Sequence, residues 1–125
     1  MGKYPKKLPI KLQERLHRYA GRSVGIHAEG LSLEPGKLTK VFKTFIIVQG
    51  ERFVPRSTNY IQVFDVPRSA AFYRVGVRTT FDASGIFDDV QLVLIGKDFI
   101  ELQTGDESND RYLLPLNKVV GLFGL

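Results

Sequence analysis

Hydrophobic residues follow two different periods along this chain, one before Gly21 and one after it. Up to Ala20 they recur at helical spacing, which predicts one helix over residues 8–20. Pro9 suits the first turn of that helix, and Gly21 suits its end. The apolar stripe of the predicted helix consists of Leu8, Leu12, Leu16 and Tyr19.

Beyond the helix, short runs of alternating apolar and polar residues predict ten strands in two sets of five. The first set covers residues 23–29, 37–42, 44–49, 52–55 and 60–64, and the second covers residues 72–81, 85–95, 98–103, 111–115 and 119–123. Gly36 and Gly85 each begin a long predicted strand, where a bend or a close backbone approach is expected. A short helix followed by about five bent strands is typical of a small barrel.

The two sets carry similar motifs in the same order. Four blocks correspond, and the offset between the two copies changes from block to block. The blocks begin at Val24 and Val75 (51 positions apart), Gly36 and Gly85 (49), Lys43 and Lys97 (54), and Val54 and Leu114 (60). The changing offset predicts insertions at residues 92–96 and 106–110. We interpret the pattern as a duplicated unit of about fifty residues, with one irregular all-β domain as the alternative. The predicted units are residues 1–66, including the helix, and residues 67–125.

Charge is distributed unevenly between the two units. The chain has a net charge of +5, with 12 Lys and Arg against 4 Asp and Glu in residues 1–64, and 6 against 9 in residues 65–125. A nucleic-acid surface, a contact between unlike halves of neighbouring molecules and a solvated basic face all fit this asymmetry. The candidate nucleic-acid contacts are Lys11, Arg15, Arg18 and Arg22 along one flank of the helix, with Lys37, Lys40, Lys43 and Arg56.

Several function classes receive little support from the residues. No apolar run approaches the ~20 residues of a membrane span, and the basic N-terminus is not followed by the apolar run of a signal peptide. The absence of cysteine excludes disulfides and cysteine-bound metals and fits a reducing compartment. We therefore expect a cytoplasmic protein without a cofactor or a metal.

Catalytic motifs are also missing from the sequence. His17 and His27 stand in neither a zinc-protease nor a nucleophile-elbow motif. The carboxylate pairs at residues 88–89 and 106–107 do not fit a calcium loop. We expect no enzyme, and an active site would require a pocket that brings His27 together with the pair at residues 88–89.

The first unit resembles the Sm/LSm superfamily. The resemblance is carried by the helix, the strand that opens with Val24-Gly25-Ile26, the Gly36-x-Leu38-x-x-Val41 strand and the closing strand after Phe53-Val54-Pro55-Arg56. The second unit is similar but lacks a helix, and its strands beginning at Lys97 and Tyr112 resemble those of small Sm-like proteins from spore-forming Firmicutes. The resemblance implies two strongly bent five-stranded barrel repeats packed side by side. PRC-barrel-like domains share this hydrophobic pattern.

The residues with which Sm proteins bind RNA are largely absent. The resemblance places their Asp at Phe42, their Asn at Ile46 and their Arg-Gly pair at Arg56-Ser57. The matching stretch of the second unit, 114–117, has no arginine. The loss of these polar groups argues against uridine recognition in the Sm manner, because single-stranded RNA is held by stacking and by hydrogen bonds to base edges.

The resemblance also indicates how the protein functions. Sm-type barrels leave edge strands open, and open edges pair with neighbours. We expect a non-catalytic scaffold or assembly module, sporulation-related by resemblance alone, that forms a homo-oligomer through its outer edge strands. Closure into a ring and capping of the edges in a monomer both stay open. The alternative function is binding of RNA or another nucleic acid through the basic first half.

Overall fold

The computed structural model describes residues 6–82 and 84–125, and within them the chain forms one antiparallel sheet of eleven strands and one short α-helix. The elements are α1 (Leu12–Arg18), β1 (Ser23–Ala28), β2 (Leu31–Ser32), β3 (Gly36–Val41), β4 (Ile46–Val48), β5 (Glu51–Phe53), β6 (Tyr60–Val63), β7 (Tyr73–Thr79), β8 (Val90–Ile95), β9 (Phe99–Gln103), β10 (Arg111–Pro115) and β11 (Val119–Gly124). Two 3₁₀ turns, Pro55–Ser57 and Leu116–Lys118, precede β6 and β11. The protein is therefore mostly β, as the alternating pattern predicts.

The helix is shorter than the predicted span of residues 8–20. Its N-cap is Lys11, so Pro9 lies before the helix and not in its first turn. The backbone N–H of Leu8 donates to the Ile95 oxygen and that of Lys97 to the Ile10 oxygen, so these residues run beside the β8–β9 hairpin. The backbone bonds of this segment are thus made with the sheet instead of along the helix.

One predicted strand begins later than expected. Residues 85–89 form a turn and not the start of a strand, because Gly85 has a left-handed φ of 80° and Asp88 N–H donates back to the Gly85 oxygen. The Asp82 carboxylate accepts backbone N–H groups of this turn, including that of Ile86. Phe87 is nevertheless fully buried, which explains why its position fits a strand pattern.

The two halves of the sheet contain the same arrangement of strands. The complete order is β11-β7-β8-β9-β10-β6-β1-β3-β4-β5, with β2 paired to β1. Each half is a run of five strands: β6-β1-β3-β4-β5 in the first half and β11-β7-β8-β9-β10 in the second. In both runs the strand that comes last in sequence lies first, and the other four follow it in sequence order. The halves join where β10 pairs with β6. No ladder among the described residues closes either run, so the sheet is unclosed and the expected barrel repeats are not shown.

Strand registers repeat between the halves residue by residue. In the β3–β4 ladder Leu38 pairs with Val48, and Lys40 with Ile47 after a β-bulge. Adding 54 to each number gives the pairs of the β8–β9 ladder, including its bulge between Leu92 and Leu94. Adding 61 to the numbers of β5 and β6 likewise gives β10 and β11. The two halves therefore agree in register as well as in strand order.

These registers correct the sequence alignment in two places. The offset is already 54 at the start of β8, so the first insertion precedes Val90 and does not lie at residues 92–96. Gly85 is consequently not the counterpart of Gly36. The second insertion lies in the loop between β9 and β10, as predicted. The offset beyond that loop is 61 and not 60, so the counterpart of Arg56 is Asn117.

Each half has its own hydrophobic core, and the helix packs on the first. Leu12 and Leu16 of α1 and the C-cap residue Tyr19 are buried with residues of β1, β3, β4 and β6 and with Phe99 and Leu94 of the second half. The second cluster gathers residues of β7 to β10 around the loop residue Phe87. All five residues of β9 are buried, because this strand has a core on each of its faces.

Candidate functional site

The helix is held in place by carboxylates of the second half. The Asp98 carboxylate accepts the backbone N–H of Leu12 at 2.7 Å, which satisfies a donor of the first helical turn. Glu14 accepts the N–H of Lys11 at 3.3 Å and completes the start of the helix. These two carboxylates are therefore engaged with backbone groups.

Arg15, a predicted nucleic-acid contact, belongs to a buried ionic cluster. Its guanidinium donates from Nε and Nη2 to the two carboxylate oxygens of Glu101 at 2.7 and 2.9 Å. Glu101 also accepts from Tyr19 Oη at 2.8 Å and from Arg111 Nη1 at 2.6 Å, and its side chain has no exposed surface. The structure thus removes Arg15 from the cations available to a ligand.

Electrostatics within this cluster keep Glu101 ionised. Burial acts to raise the pKa of Glu101, but hydrogen bonds and charge from Arg15, with contributions from Tyr19 and Arg111, outweigh it, so the pKa lies below its ordinary value. Burial raises the pKa of Tyr19 to about 12, and the charge of Glu101 adds to the rise. Arg111 also donates to the Pro67 oxygen at 2.7 Å, which ties β10 to the segment that joins the halves.

The cluster is the feature that sequence reasoning missed. Glu101 lies between Ile100 and Leu102, so the alternating pattern assigns it to a solvated face. Its counterpart in the first half is Ile47, as the common offset of 54 shows. A signal was present in the run of apolar residues around it, because a strand that is apolar on both faces is covered on both sides.

A groove lies between the outer face of α1 and the β3–β4 hairpin. It has a volume of about 1070 Å³, just above the upper end of the size range of ligand pockets. Phe42 and Val54 line it and are 43% and 50% exposed. Gln13 donates from its amide to the Phe42 oxygen and links the two walls. The complete lining is Ile10, Lys11, Gln13, Glu14, His17, Arg18, Val41, Phe42, Lys43, Thr44, Val54, Arg56 and Asp98.

Four of the eight predicted cations meet around this groove. None of the four forms a salt bridge within the described ranges 6–82 and 84–125, and all four are exposed. Of the two lining carboxylates, each already accepts a backbone N–H. The groove is therefore a basic surface with apolar walls, and we call it the basic groove. Its four cations are Lys11, Arg18, Lys43 and Arg56.

The other predicted cations lie elsewhere. Lys37 and Lys40 are exposed on β3 and do not line the groove. Arg22 donates to the backbone oxygen of Asp65. Of the positions that the Sm resemblance assigns to RNA recognition, Phe42 and Arg56 line the basic groove, whereas Ile46 is fully buried.

A smaller cavity, of about 240 Å³, contains His27 and Asp82. The His27 ring stacks on Tyr60 with centroids 4.3 Å apart and has its Nε2 3.2 Å from the Gln62 amide oxygen. Burial lowers the pKa of His27. The carboxylate pair at residues 88–89, which an active site at His27 would require, does not line this cavity. Asp89 binds Arg74 at 2.7 Å on the exposed surface.

The described residues give no sign of a metal centre. Among them, no group of three or more His, Asp or Glu side chains is placed to hold an ion. The Asp106 carboxylate accepts hydrogen bonds from the Thr104 hydroxyl and the Ser108 N–H and so caps its own loop. No helix in the described part of the chain is long and apolar enough to cross a membrane.

Comparison with known proteins adds no relative. The chain matches no family model, no curated protein and no solved structure. The functional argument therefore depends on the geometry of the chain itself.

Proposed function

We propose that this protein is a non-catalytic, Sm-like assembly module made of two repeats, which joins to further copies of itself through its outer edge strands. Support for the repeats comes from the strand order and from the registers, which agree residue by residue between the halves. Fifty-residue units with the same bulge at the same position are more simply explained by duplication than by chance.

The observation that carries the proposal is the junction inside the chain. It pairs β10, the last strand in the run of the second half, with β6, which is the first strand in the run of the first half and corresponds to β11. The counterparts of these two strands are β5 and β11, and they form the two ends of the sheet. The free edge strands β5 and β11 thus correspond to β10 and β6, which already pair with one another within the molecule.

The junction specifies how two molecules would pair. Within it, Tyr112 pairs with Gln62 and Leu113 with Ile61. Transferring these pairs by the offset of 61 gives two antiparallel contacts between molecules, Glu51 with Phe123 and Arg52 with Leu122.

Backbone directions at both edges agree with this register. The bond from Phe42 N–H to the Phe45 oxygen sets the alternation of β4, which directs the N–H and C=O groups of Arg52 away from β4. The bond from Leu125 N–H to the Arg74 oxygen similarly directs those of Leu122 away from β7. The two residues that the register pairs therefore both present unpaired backbone groups.

Exposed apolar residues at the β11 end also favour association. Val120 is 68% exposed and Leu125 is 52% exposed. Soluble monomers usually protect an edge strand with charge, proline or a covering element. The β11 strand contains no charged residue and no proline, although it has a β-bulge between Val119 and Gly121, whereas β5 carries the charged pair Glu51 and Arg52.

The test is the particle mass of the wild-type chain and of Arg52→Pro, measured by light scattering. Proline removes the outward N–H that a neighbouring β11 would bind, and it leaves the β4–β5 ladder intact. Wild type is expected to exceed the 14.1 kDa of one chain, and the variant to return to it. Arg52→Thr keeps the N–H and is expected to behave as wild type. A monomeric wild type at high concentration would overturn the proposal.

A second candidate function, nucleic-acid binding, is favoured by the meeting of four unpaired cations at the basic groove. Binding of this kind weakens steeply with salt, because neutralised phosphates release counterions. Charge reversal of Arg18 with Lys43 is expected to abolish binding of an oligouridine probe, whereas reversal of Lys37 with Lys40 is not. Absence of binding at low salt would remove this candidate.

A further inference from the structure

We infer that the basic groove binds an extended peptide segment of a partner protein in which acidic and aliphatic residues alternate. This inference concerns a surface separate from the β5 and β11 edges, and it does not depend on the assembly proposal. Its starting point is the pair of properties that the groove combines, exposed apolar walls and an excess of unpaired positive charge.

Charge complementarity selects an acidic ligand. Lys11, Arg18, Lys43 and Arg56 surround the groove without carboxylate partners in the described residues. The two lining carboxylates are occupied by backbone donors of the helix start. An anionic segment therefore gains attraction from four side chains without displacing an existing ion pair.

The walls select an apolar component as well. Phe42 and Val54 present large exposed surfaces to the groove, and burying them favours a ligand with aliphatic side chains. Phe42 stacks on Phe45 with ring centroids 4.6 Å apart, and the only other ring in the described lining is that of His17. A nucleic acid is the weaker fit, because single strands are held by several stacking platforms.

The other half shows that this hairpin surface accepts an extended chain. The hairpin β8–β9, equivalent to β3–β4, carries Leu8–Ile10 along its side through backbone bonds of 2.9 and 2.7 Å. Gly96 allows this close approach, since a Cβ at that position would lie 2.7 Å from the Ile10 oxygen. Its counterpart is Phe42, whose side chain excludes so close an approach and instead forms a wall. The first hairpin is therefore left open to a segment that binds through side chains.

The absence of a helix in the second half keeps the groove open in an assembly. In the chain, α1 and the residues before it cover the hairpin of the adjacent half. A neighbouring molecule that pairs its β11 with β5 would bring its second half alongside, and among described residues that half contains no helix to occupy the groove. A partner segment thus has access in the monomer and in the assembly.

The experiment measures the fluorescence anisotropy of a labelled octapeptide of alternating aspartate and leucine, titrated with the full chain. We expect saturable binding that weakens at least tenfold in Arg18→Glu with Lys43→Glu. Lys37→Glu with Lys40→Glu carries the same charge change outside the groove and is the matched control. Val54→Asp, at an exposed position, is expected to weaken binding without affecting folding.

Each other result contradicts the inference. Equal loss in the groove and control variants would show nonspecific attraction to a basic protein. Equal binding of an octapeptide of alternating lysine and leucine would show that the four cations of the groove do not discriminate acidic from basic peptides. Stronger binding of oligouridine that displaces the acidic peptide would assign the groove to nucleic acid. The particle mass of Arg18→Glu with Lys43→Glu separates these outcomes from failure of assembly, because the edge strands are unchanged.

Discussion

Glu101 of β9 binds Arg15 of α1 through two parallel hydrogen bonds, and this contact fixes the N-terminal helix of the first half to a fully buried strand of the second. Bidentate pairing of this kind fixes orientation as well as distance. The same carboxylate binds Arg111 of β10. One buried side chain therefore connects a helix, two strands and both halves of the protein.

Replacement of Glu101 by glutamine is expected to destabilise the fold by about 3 to 5 kcal/mol, because it leaves the buried Arg111 without its counter-charge. Urea denaturation followed by circular dichroism measures the change. Glu107→Gln removes a carboxylate at an exposed position and is the control, with an expected change within about 0.5 kcal/mol. Equal stability of the two variants would show that the ionic cluster contributes nothing.

The contribution of this carboxylate is expected to depend on pH in a defined direction. The folded pKa of Glu101 lies below its ordinary value of 4.5. A depressed pKa gives stability that is fully present above the unfolded value and is lost as the pH falls through the folded value. The free-energy difference between wild type and Glu101→Gln is therefore expected to be constant above about pH 5 and to shrink in more acidic solution. Urea titrations at successive pH values measure it, and a difference unchanged to about pH 2 would refute the assignment.

Gly96→Ala is expected to release the segment before the helix. The added Cβ would overlap the Phe99 ring and lie 2.7 Å from the Ile10 oxygen, at a cost of about 1 to 3 kcal/mol for overpacking. Amide hydrogen exchange is expected to accelerate at Leu8 and Lys97, whose N–H groups bind across this contact. Gly105→Ala meets only an ordinary contact of 3.7 Å and is the control. Unchanged protection at both amides would contradict this account.

The register between molecules is open to cysteine cross-linking, since the chain has no cysteine of its own. A mixture of Glu51→Cys and Phe123→Cys chains is expected to form a disulfide-linked dimer under mild oxidation, because directly opposed residues bring their Cβ atoms close enough. Replacing the second partner by Leu122→Cys shifts the pairing by one residue and turns the thiols to opposite faces. Non-reducing electrophoresis separates the two cases, and equal cross-linking in both would reject the register.

Much of the strand content could be predicted from the sequence because alternation is a local signal. The β10 strand lies at its predicted residues, and the hairpin turn at Gln49-Gly50 has positive φ at both residues, 52° and 76°. Gly36 has the close approach expected of it, since a Cβ there would overlap the Gln49 side chain. Turn chemistry and side-chain alternation need only neighbours in sequence.

Errors arose where distant residues decide local structure. The apolar stripe continues to Leu8, but the helix begins after Lys11, because the preceding segment bonds to the β8–β9 hairpin. Gly85 and Phe87 imitate the spacing of Gly36 and Leu38, yet the Asp82 carboxylate holds this stretch as a turn. A pattern over a few residues does not contain these long-range partners.

The sequence predicted only part of the candidate site, because contacts between distant residues also decide which cations reach the groove. Lys43 and Arg56 come together with Arg18 because the strand order brings their loops to one end of the first half. Arg15 was grouped with the other cations of the helix flank but binds Glu101, since helical spacing gives no information about a carboxylate 86 residues away. The sequence could group the cations by their charge, but it could not reveal the contact of Arg15 with a carboxylate far along the chain.

The long sequence distance between the helix and the carboxylates that bind it also sets the order in which these contacts form during synthesis. Ribosomes release a chain from its N-terminus, and domains fold as their residues emerge. The first six strands are complete by Val63, but Asp98 and Glu101, which anchor the helix, emerge much later. A nascent chain therefore carries residues 12–18 without these two carboxylates until β9 has left the ribosome, so anchoring of the helix to the second half is among the last steps of folding.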